Sequence, residues 1–372
     1  MLHRGRPLDR LTKQSLVTVS HAIEQAASAT AEDGPLVVFA LFQRMPYFER
    51  ERARYERIAA VAAVTVVGAV TPTAPTVLPE PVTGVPLDES EELAREWTVV
   101  ALTPRFGAAL VAHDRIEVDP AATSLEAGRL FDGWWGFRRD EALHEVLRLR
   151  RTLADRLPPA VLAAVDDVVA RVRDLPAAPG EARGEAALRL LADRVERAGR
   201  VVAAPRRRAT GADTPVLDEA ALLRWAGRGA ASGSLPVALV GVRVEEPAGA
   251  PERIGRRTAA RETQAVLGAV TAALRPVDRA VRLDDQEYLL VLPALTEQAA
   301  VAVAHRVTEQ VAGLARSYPF VAYAVHAAVT VTARRPLPVG DLRSALRWAV
   351  REGVPVATLG EENHPPPASR LR

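Results

Sequence analysis

Arg282-Leu283-Asp284-Asp285-Gln286-Glu287-Tyr288 runs directly into Leu289-Leu290-Val291-Leu292-Pro293. A short stretch, a charged bend and a wholly apolar stretch predict a β-hairpin over Ala280–Leu292, with a two-residue turn and its charge at the tip. Outward from it, apolar residues at helical spacing predict helices over Arg257–Leu274, Glu297–Ala315 and Val339–Glu352. Strands are expected at Leu235–Glu246, Val321–Thr332 and Pro355–Leu359, with one more helix after Asp213. The C-terminal part thus alternates strands and helices around one sheet.

The chain has 372 residues, which suggests two domains and a connector. It is 48% hydrophobic and 25% charged, enough to bury ordinary globular cores. Lys13 is the sole lysine, and a net charge of +2 leaves no electrostatic footprint for nucleic acid. With no cysteine, disulfides, thiolate-held clusters and Cys-based zinc sites are excluded. The seven histidines never form His-x-x-x-His or His-x-Glu, which disfavours zinc, and the expectation is of no metal and no cofactor. The apolar run Ile58–Val70 falls short of the roughly 20 residues that span a bilayer. Met1–Pro7 lacks the apolar core of a signal peptide. The expectation is a cytoplasmic protein that does not engage a membrane.

In the N-terminal half, the pattern predicts a helix over residues 9–31, a strand at Leu36–Phe42, a helix from Pro46 to Ala60 and a strand at Val61–Val70. The proline-rich Thr71–Pro86 reads as loop, and Trp97–Leu102 and Ala108–His113 as two strands. The aromatic segment Phe131–Phe137 precedes a charged helix starting near Asp140. Arg150–Arg208 reads as connector, with helices over Ala160–Asp174 and Glu181–Arg200. In the second, Leu188, Leu191, Val195 and Ala198 form one stripe that needs a partner, within the chain or on a dimer mate.

Three residues stand out as sensor candidates. His21, with Glu24 three residues on, superficially matches a histidine-kinase phosphorylation box, but no nucleotide-binding Asn/Gly boxes follow. A helix-packing histidine is the favoured reading. Trp134 and Trp135 either line a ligand pocket or close the domain over its sheet.

The hairpin resembles the signature of GGDEF domains, the catalytic modules of diguanylate cyclases, where Arg-x-Gly-Gly-Asp-Glu-Phe precedes an apolar strand. Here Asp284 and Asp285 replace both glycines, Gln286 the first acid, and Glu287-Tyr288 follow. Two carboxylates then stand where the resemblance implies a triphosphate, and like charges repel. At the end of the first strand, where the family has Asp-x-Asp for Mg²⁺, this chain reads Arg243-Val244-Glu245. Thr263-Gln264 replaces the family's Gly-Asp pair, and no Asn-Asp precedes it for guanine recognition. Arg275-Pro276-Val277-Asp278 has the spacing of the family's RxxD inhibitory site, which implies cyclic di-GMP bound by Arg275, Asp278 and Arg282. The plain alternative makes Arg275 and Asp278 scaffold residues and pairs Arg282 with Glu287. Ala345–Gly353 resembles the family's closing helix.

The first half resembles the DICT sensory domain, on Leu11–Leu16, Ser20–Glu24, Phe39–Arg44, Arg54-Tyr55 and Phe131–Phe137. Together the resemblances imply an α/β (α+β) chain: a mixed α/β sensor over residues 1–155, a helical connector over 156–210, a ferredoxin-like nucleotidyl-cyclase-type domain over 211–360 and a disordered tail over 361–372. The second helix such domains carry after their first strand is not visible in the pattern. The expected function is non-catalytic signalling, with an output domain that binds cyclic di-GMP or a partner, the connector helices offering a homodimer or protein interface. The alternative is an active or atypical diguanylate cyclase using GTP, through Asp284, Asp285, Glu287 and Glu245.

Overall fold

Val37-Val38-Phe39-Ala40-Leu41-Phe42 is apolar at every position because both of its faces are covered. The structure, a computed structural model, describes residues 8–29, 34–70, 78, 80–122, 124–176, 180–203, 216–217, 219–227, 235–245, 256–316 and 323–359. The expected tail over 361–372 lies outside the described residues. The chain divides into two compact units, residues 1–115 with 129–207 and residues 116–128 with 208–372. The connector helices therefore group with the first unit, and a short internal segment groups with the second. No helix among the described residues is long and apolar enough to cross a membrane.

The first unit is built on seven strands: β1 (Asp9–Thr12), β2 (Val37–Phe42), β3 (Val64–Val70), β4 (Thr83–Leu87), β5 (Glu96–Leu102), β6 (Gly107–Val118) and β7 (Arg129–Gly136). Their order is β1-β7-β6-β5-β2-β3-β4, with β2, β3 and β4 parallel. Helices α1 (Lys13–Ala29) and α2 (Met45–Ala59) cover one face, and α3 (Arg139–Thr152) and α4 (Pro159–Asp174) the other. Alternation sorts the side chains: Val37, Phe39 and Leu41 join one core, and Val38, Ala40 and Phe42 the other.

Three expectations change here. Asp9–Thr12 is strand rather than helix, paired with β7, so the first helix starts at Lys13. Within the presumed loop Thr71–Pro86, residues Thr83–Pro86 belong to β4, an edge strand. Its Pro86 is tolerated because an edge has a free side with no ladder bond to lose. Phe131–Gly136 is part of β7, and Trp134 and Trp135 point into opposite cores, at 3% and 8% exposure. The two tryptophans therefore face different cores and do not share one pocket. α5 (Glu181–Ala203) completes the unit.

The second unit contains β8 (Val216–Leu217), α6 (Glu219–Ala226), β9 (Val237–Glu245), α7 (Arg256–Thr271), β10 (Arg279–Arg282), β11 (Glu287–Pro293), α8 (Glu297–Gly313), β12 (Ala324–Thr332), α9 (Val339–Glu352) and β13 (Val356–Leu359). From β9 onward this is the expected ferredoxin-like alternation, with one helix described between β9 and β10. The sheet order is β13-β12-β9-β11-β10-β8. α7 and α8 cover one face, α6 and α9 the other. Gly353 ends α9 at φ 67°, the left-handed C-cap that glycine adopts without a Cβ penalty.

Gly133 lies where β7 passes closest to β6: a Cβ there would meet the Val111 carbonyl oxygen and stand 2.7 Å from Ala112 Cα. Backbone cannot yield as a flexible side chain can. Gly133→Ala is expected to destabilise the first unit by about 2–3 kcal/mol, read as a lowered urea midpoint by tryptophan fluorescence.

Candidate functional site

Strand alternation assembles the charged cluster of the second unit. Leu239, Gly241 and Arg243 share one face of β9, and Glu287, Leu289 and Val291 share the matching face of β11. Arg243 and Glu287 are register partners. α9 lies over this face and comes close because Gly241 has no side chain; a Cβ there would stand 3.3 Å from Leu346. The apolar rows end at the β9–β11 margin, and the next side chains along them are Arg243 and Glu287.

Glu287 is nearly buried, its side chain only 4% exposed, and it is held from two sides. Arg243 Nη1 donates to Oε1 at 2.9 Å, and Arg343 of α9 donates through Nε to Oε2 at 2.9 Å. Arg243 also donates to Glu245 Oε1 at 3.1 Å and Gln286 Oε1 at 3.2 Å. Its guanidinium thus sits among three side-chain acceptors. Burial works against that charge, but the hydrogen bonds from Arg243 to Glu245 and Glu287 outweigh it and raise the pKa. On the next strand His326 is the register partner of Arg243, its Nδ1 donating to the Val354 carbonyl at 2.9 Å. Nothing local in the sequence marks Arg343. Its role depends on how α9 crosses β11, which is tertiary information.

The bend differs from its expectation. It has four residues, Leu283–Gln286, not two. Asp284 Oδ1 accepts from the amides of Gln286 at 2.8 Å and Glu287 at 2.7 Å, an Asx-type turn. Asp284 therefore uses its carboxylate to hold the bend, with Arg343 at 3.5 Å. The non-glycine residues with positive φ are Ile116 and Ala294 among those described, so the bend itself needs no left-handed residue. Asp285 is 99% exposed and pairs with Arg282 at 2.8 Å. Arg282 thus pairs with Asp285, not with Glu287 as the sequence suggested. Tyr288 points the other way, into the core under α7 and α8.

Arg275 and Asp278 form a closed turn. Asp278 accepts from the Arg275 amide at 2.7 Å and from its Nη2 at 2.8 Å, and Arg275 also donates to the Pro293 carbonyl at 2.7 Å. Asp278 is 1% exposed. The pair fastens the end of the α7 segment to the end of β11, the scaffold role weighed beside the ligand role. Arg282 does not join it.

In the first unit, His21, Glu24 and Glu51 offer ligand atoms within 4.8 Å of one another. His21 Nε2 lies 3.4 Å from Glu51 Oε1. Arg54 binds Glu24 at 2.8 Å and also contacts Glu51, so a cation already bridges the two carboxylates. Tyr55 and Ser20 donate to Glu24 Oε1 at 2.8 and 3.0 Å. Burial raises the Glu24 pKa, against the lowering by Tyr55, Ser20 and Arg54. The sequence showed His21 and Glu24 on one helix but not the α2 residues that complete the cluster. A separate cleft of about 400 Å³ is lined by Arg138, Glu141, Ala182, Glu185, Ala186 and Arg189. Neither tryptophan lines it, although Arg189 lies over the Trp135 ring at 4.8 Å and donates to its carbonyl oxygen.

Residues 3–115 match the DICT family profile, the sensory domain in diguanylate cyclases and two-component systems. No curated protein matches the sequence. Among solved structures, the chain is similar to the GGDEF domain of DgcB from Caulobacter crescentus in complex with c-di-GMP, at 17% identity, covering 41% of this chain and 96% of that one with a TM-score of 0.34. Diguanylate cyclase SiaD in complex with its activator SiaC, from Pseudomonas aeruginosa, is 19% identical over 59% of this chain and 88% of that one, with a TM-score of 0.37. The active GGEEF domain of a diguanylate cyclase from Vibrio cholerae is 13% identical over 34% and 84%, with a TM-score of 0.31. The expectation of a DICT sensory domain agrees with the family match over residues 3–115.

The raised Glu24 pKa has a signed consequence. The folded first unit holds this proton more tightly than the unfolded chain, where Glu titrates near 4.5. Glu24 therefore favours folding at low pH and loses that contribution as pH rises from about 4.5 through the folded value. Urea midpoints measured from pH 4 to 8 are expected to show a decline in the wild type that Glu24→Gln flattens.

Proposed function

We propose that this chain is a non-catalytic signalling protein, in which a DICT-type sensor controls a GGDEF-type unit that acts by binding a protein partner. The observation that carries this is the placement of Arg243. Its guanidinium lies among Glu287, Glu245 and Gln286, with Arg343 on the far side of Glu287. Phosphoryl transfer on GTP needs Mg²⁺ held by free carboxylates and substrate oxygens. The donor set here does not suit that ion. Its buried carboxylate is saturated by two guanidinium groups, Asp284 is committed to the turn, and a divalent cation would have to displace or approach a fixed positive charge.

Cyclic di-GMP binding through Arg275, Asp278 and Arg282 is the second reading. It draws on the RxxD spacing, but Asp278 would have to leave a buried turn to reach a guanine edge. A protein partner is favoured over it, and α5 of the first unit offers a separate surface for self-association of the chain. Glu181 accepts from the Arg139 amide at 2.5 Å and Arg189 donates to the Trp135 carbonyl oxygen, so the helix turns this charged stripe toward its own unit. Leu188, Leu190 and Leu191 are left 43%, 49% and 57% exposed. Leu188 and Leu191, one turn apart and both exposed, mark the association surface proposed here for a second copy of the chain.

Incubation of the protein with GTP and Mg²⁺ or Mn²⁺ is expected to give no cyclic di-GMP or linear intermediate, and calorimetry with cyclic di-GMP no heat of binding. An Asp285-dependent product would overturn the non-catalytic reading. Micromolar binding abolished by Arg275→Ala would replace the partner reading with the nucleotide one. Light scattering is expected to show a dimer that Leu191→Glu converts to monomer; a monomeric wild type removes α5 as a self-association surface.

A further inference from the structure

Residues 116–128, the last three of β6 and the loop that leads from it to β7 in the first unit's sheet, belong to the second unit. The chain therefore passes between the units three times, at 115–116, 128–129 and 207–208. The first passage is marked by Ile116, which has φ 56°. A β-branched residue in the left-handed region is strained, and such strain persists only where the surroundings impose it.

The segment is a built structure within the second unit. Asp119 N donates to the Gly128 carbonyl at 2.8 Å, the Asp119 carboxylate accepts from the Ala121 amide at 2.9 Å, and Gly128 N donates to the Ser124 carbonyl at 3.0 Å. Gly128 is packed too tightly for a side chain: a Cβ would stand 2.6 Å from that of Ala122 and 2.8 Å from Val118 Cγ1. At the tip Leu125 is 3% exposed in one core with Leu222, Trp225 and Val281, and its amide donates to the Trp225 carbonyl at 3.0 Å. Arg279 clasps the other side. It lies 5.0 Å from the Trp225 ring centroid and donates to the Pro120 carbonyl at 3.2 Å. Arg279 opens β10, the strand that leads to the Leu283–Gln286 bend.

The root of the same hairpin is held within the first unit. Arg129, 1% exposed, contacts Asp114 across the stem and donates to Gln43 at 2.8 Å and to the Tyr47 hydroxyl at 3.1 Å. Tyr47 opens α2, the helix that carries Glu51, Arg54 and Tyr55 of the polar cluster. One continuous hairpin is thus tied at its root to the sensor helix and at its tip to β10 and α6.

We propose that this β6–β7 hairpin is a direct mechanical coupling between the sensor and the output unit, acting in parallel with the α4–α5 helices. A shift of α2 moves Arg129 and the stem, and the tip carries that shift to Trp225 and Arg279. The inference rests on the proposed division into sensor and output unit, and holds whether or not the second unit is catalytic.

Two variants of the full chain test it. Leu125→Ala removes the tip's anchor, and hydrogen exchange is expected to quicken by at least about ten-fold in α6 and β10. A second variant inserts Gly-Ser-Gly after Arg115 and again before Arg129, which leaves the tip intact but frees it from the stem. In the wild type, urea unfolding followed by tryptophan fluorescence and by circular dichroism is expected to be one coincident transition, and in the insertion variant to split into two. Unchanged exchange in Leu125→Ala, two transitions in the wild type, or one in the insertion variant each overturn the coupling.

Discussion

The ion pair between Arg243 and Glu287 is the constraint around which the second unit is organised. A carboxylate withdrawn from water at the end of a sheet is costly unless charge and hydrogen bonds compensate it, and breaking a buried pair of this kind costs about 3–5 kcal/mol in general. Arg243 supplies that compensation from the neighbouring strand, which fixes the β9–β11 register. Arg343 supplies the rest from α9, which fixes the helix over the sheet. Asp284 follows from the same arrangement, because its carboxylate caps the amide of Glu287 and sets the bend that presents it. A guanidinium is a permanent cation with directional donors. Placed here, it provides positive charge among the side-chain oxygens of Glu287, Glu245 and Gln286.

The first unit uses the same device differently. Arg54 bridges Glu24 and Glu51 between α1 and α2, while Arg148 joins Glu96 and Glu145 between β5 and α3. Each arginine ties two elements through a carboxylate that is nearly or fully buried. A chain with a single lysine builds its interior ion pairs from the planar group best suited to bidentate contact. Such pairs are sensitive to small displacements, because a buried carboxylate that loses its partner cannot turn to water. This is the property a sensory unit needs if an input is to be felt at a distance, and Arg129 extends it to the root of the β6–β7 hairpin.

What the sequence disclosed follows from the range of the interactions involved. Long runs with clear periodicity, such as β2, α8, α9 and the β10–β11 hairpin, were legible because burial on one or both faces writes itself into local spacing. β1 was misread because Asp9–Thr12 abuts a helix of the same pattern, and only pairing with β7 makes it a strand. β4 was hidden by Pro86, whose tolerance depends on an edge position. The tryptophan pair left a pocket and domain closure equally open, because local sequence does not show that two cores take one each. At the candidate site, Arg243, Glu245, Asp284 and Glu287 were visible by position. Their partners were not: Arg343 comes from a helix fifty residues on, and Asp284's acceptor role depends on a four-residue bend. Side-chain pairing across elements has no local signature.

The claim that Arg243 takes the place of a metal is tested most directly by titrating the wild-type protein with Mn²⁺ in the presence of a non-hydrolysable GTP analogue and following free Mn²⁺ by electron paramagnetic resonance. The account predicts no saturable site for the ion beyond the one the nucleotide analogue itself provides. Saturable binding that Glu287→Gln removes would contradict it.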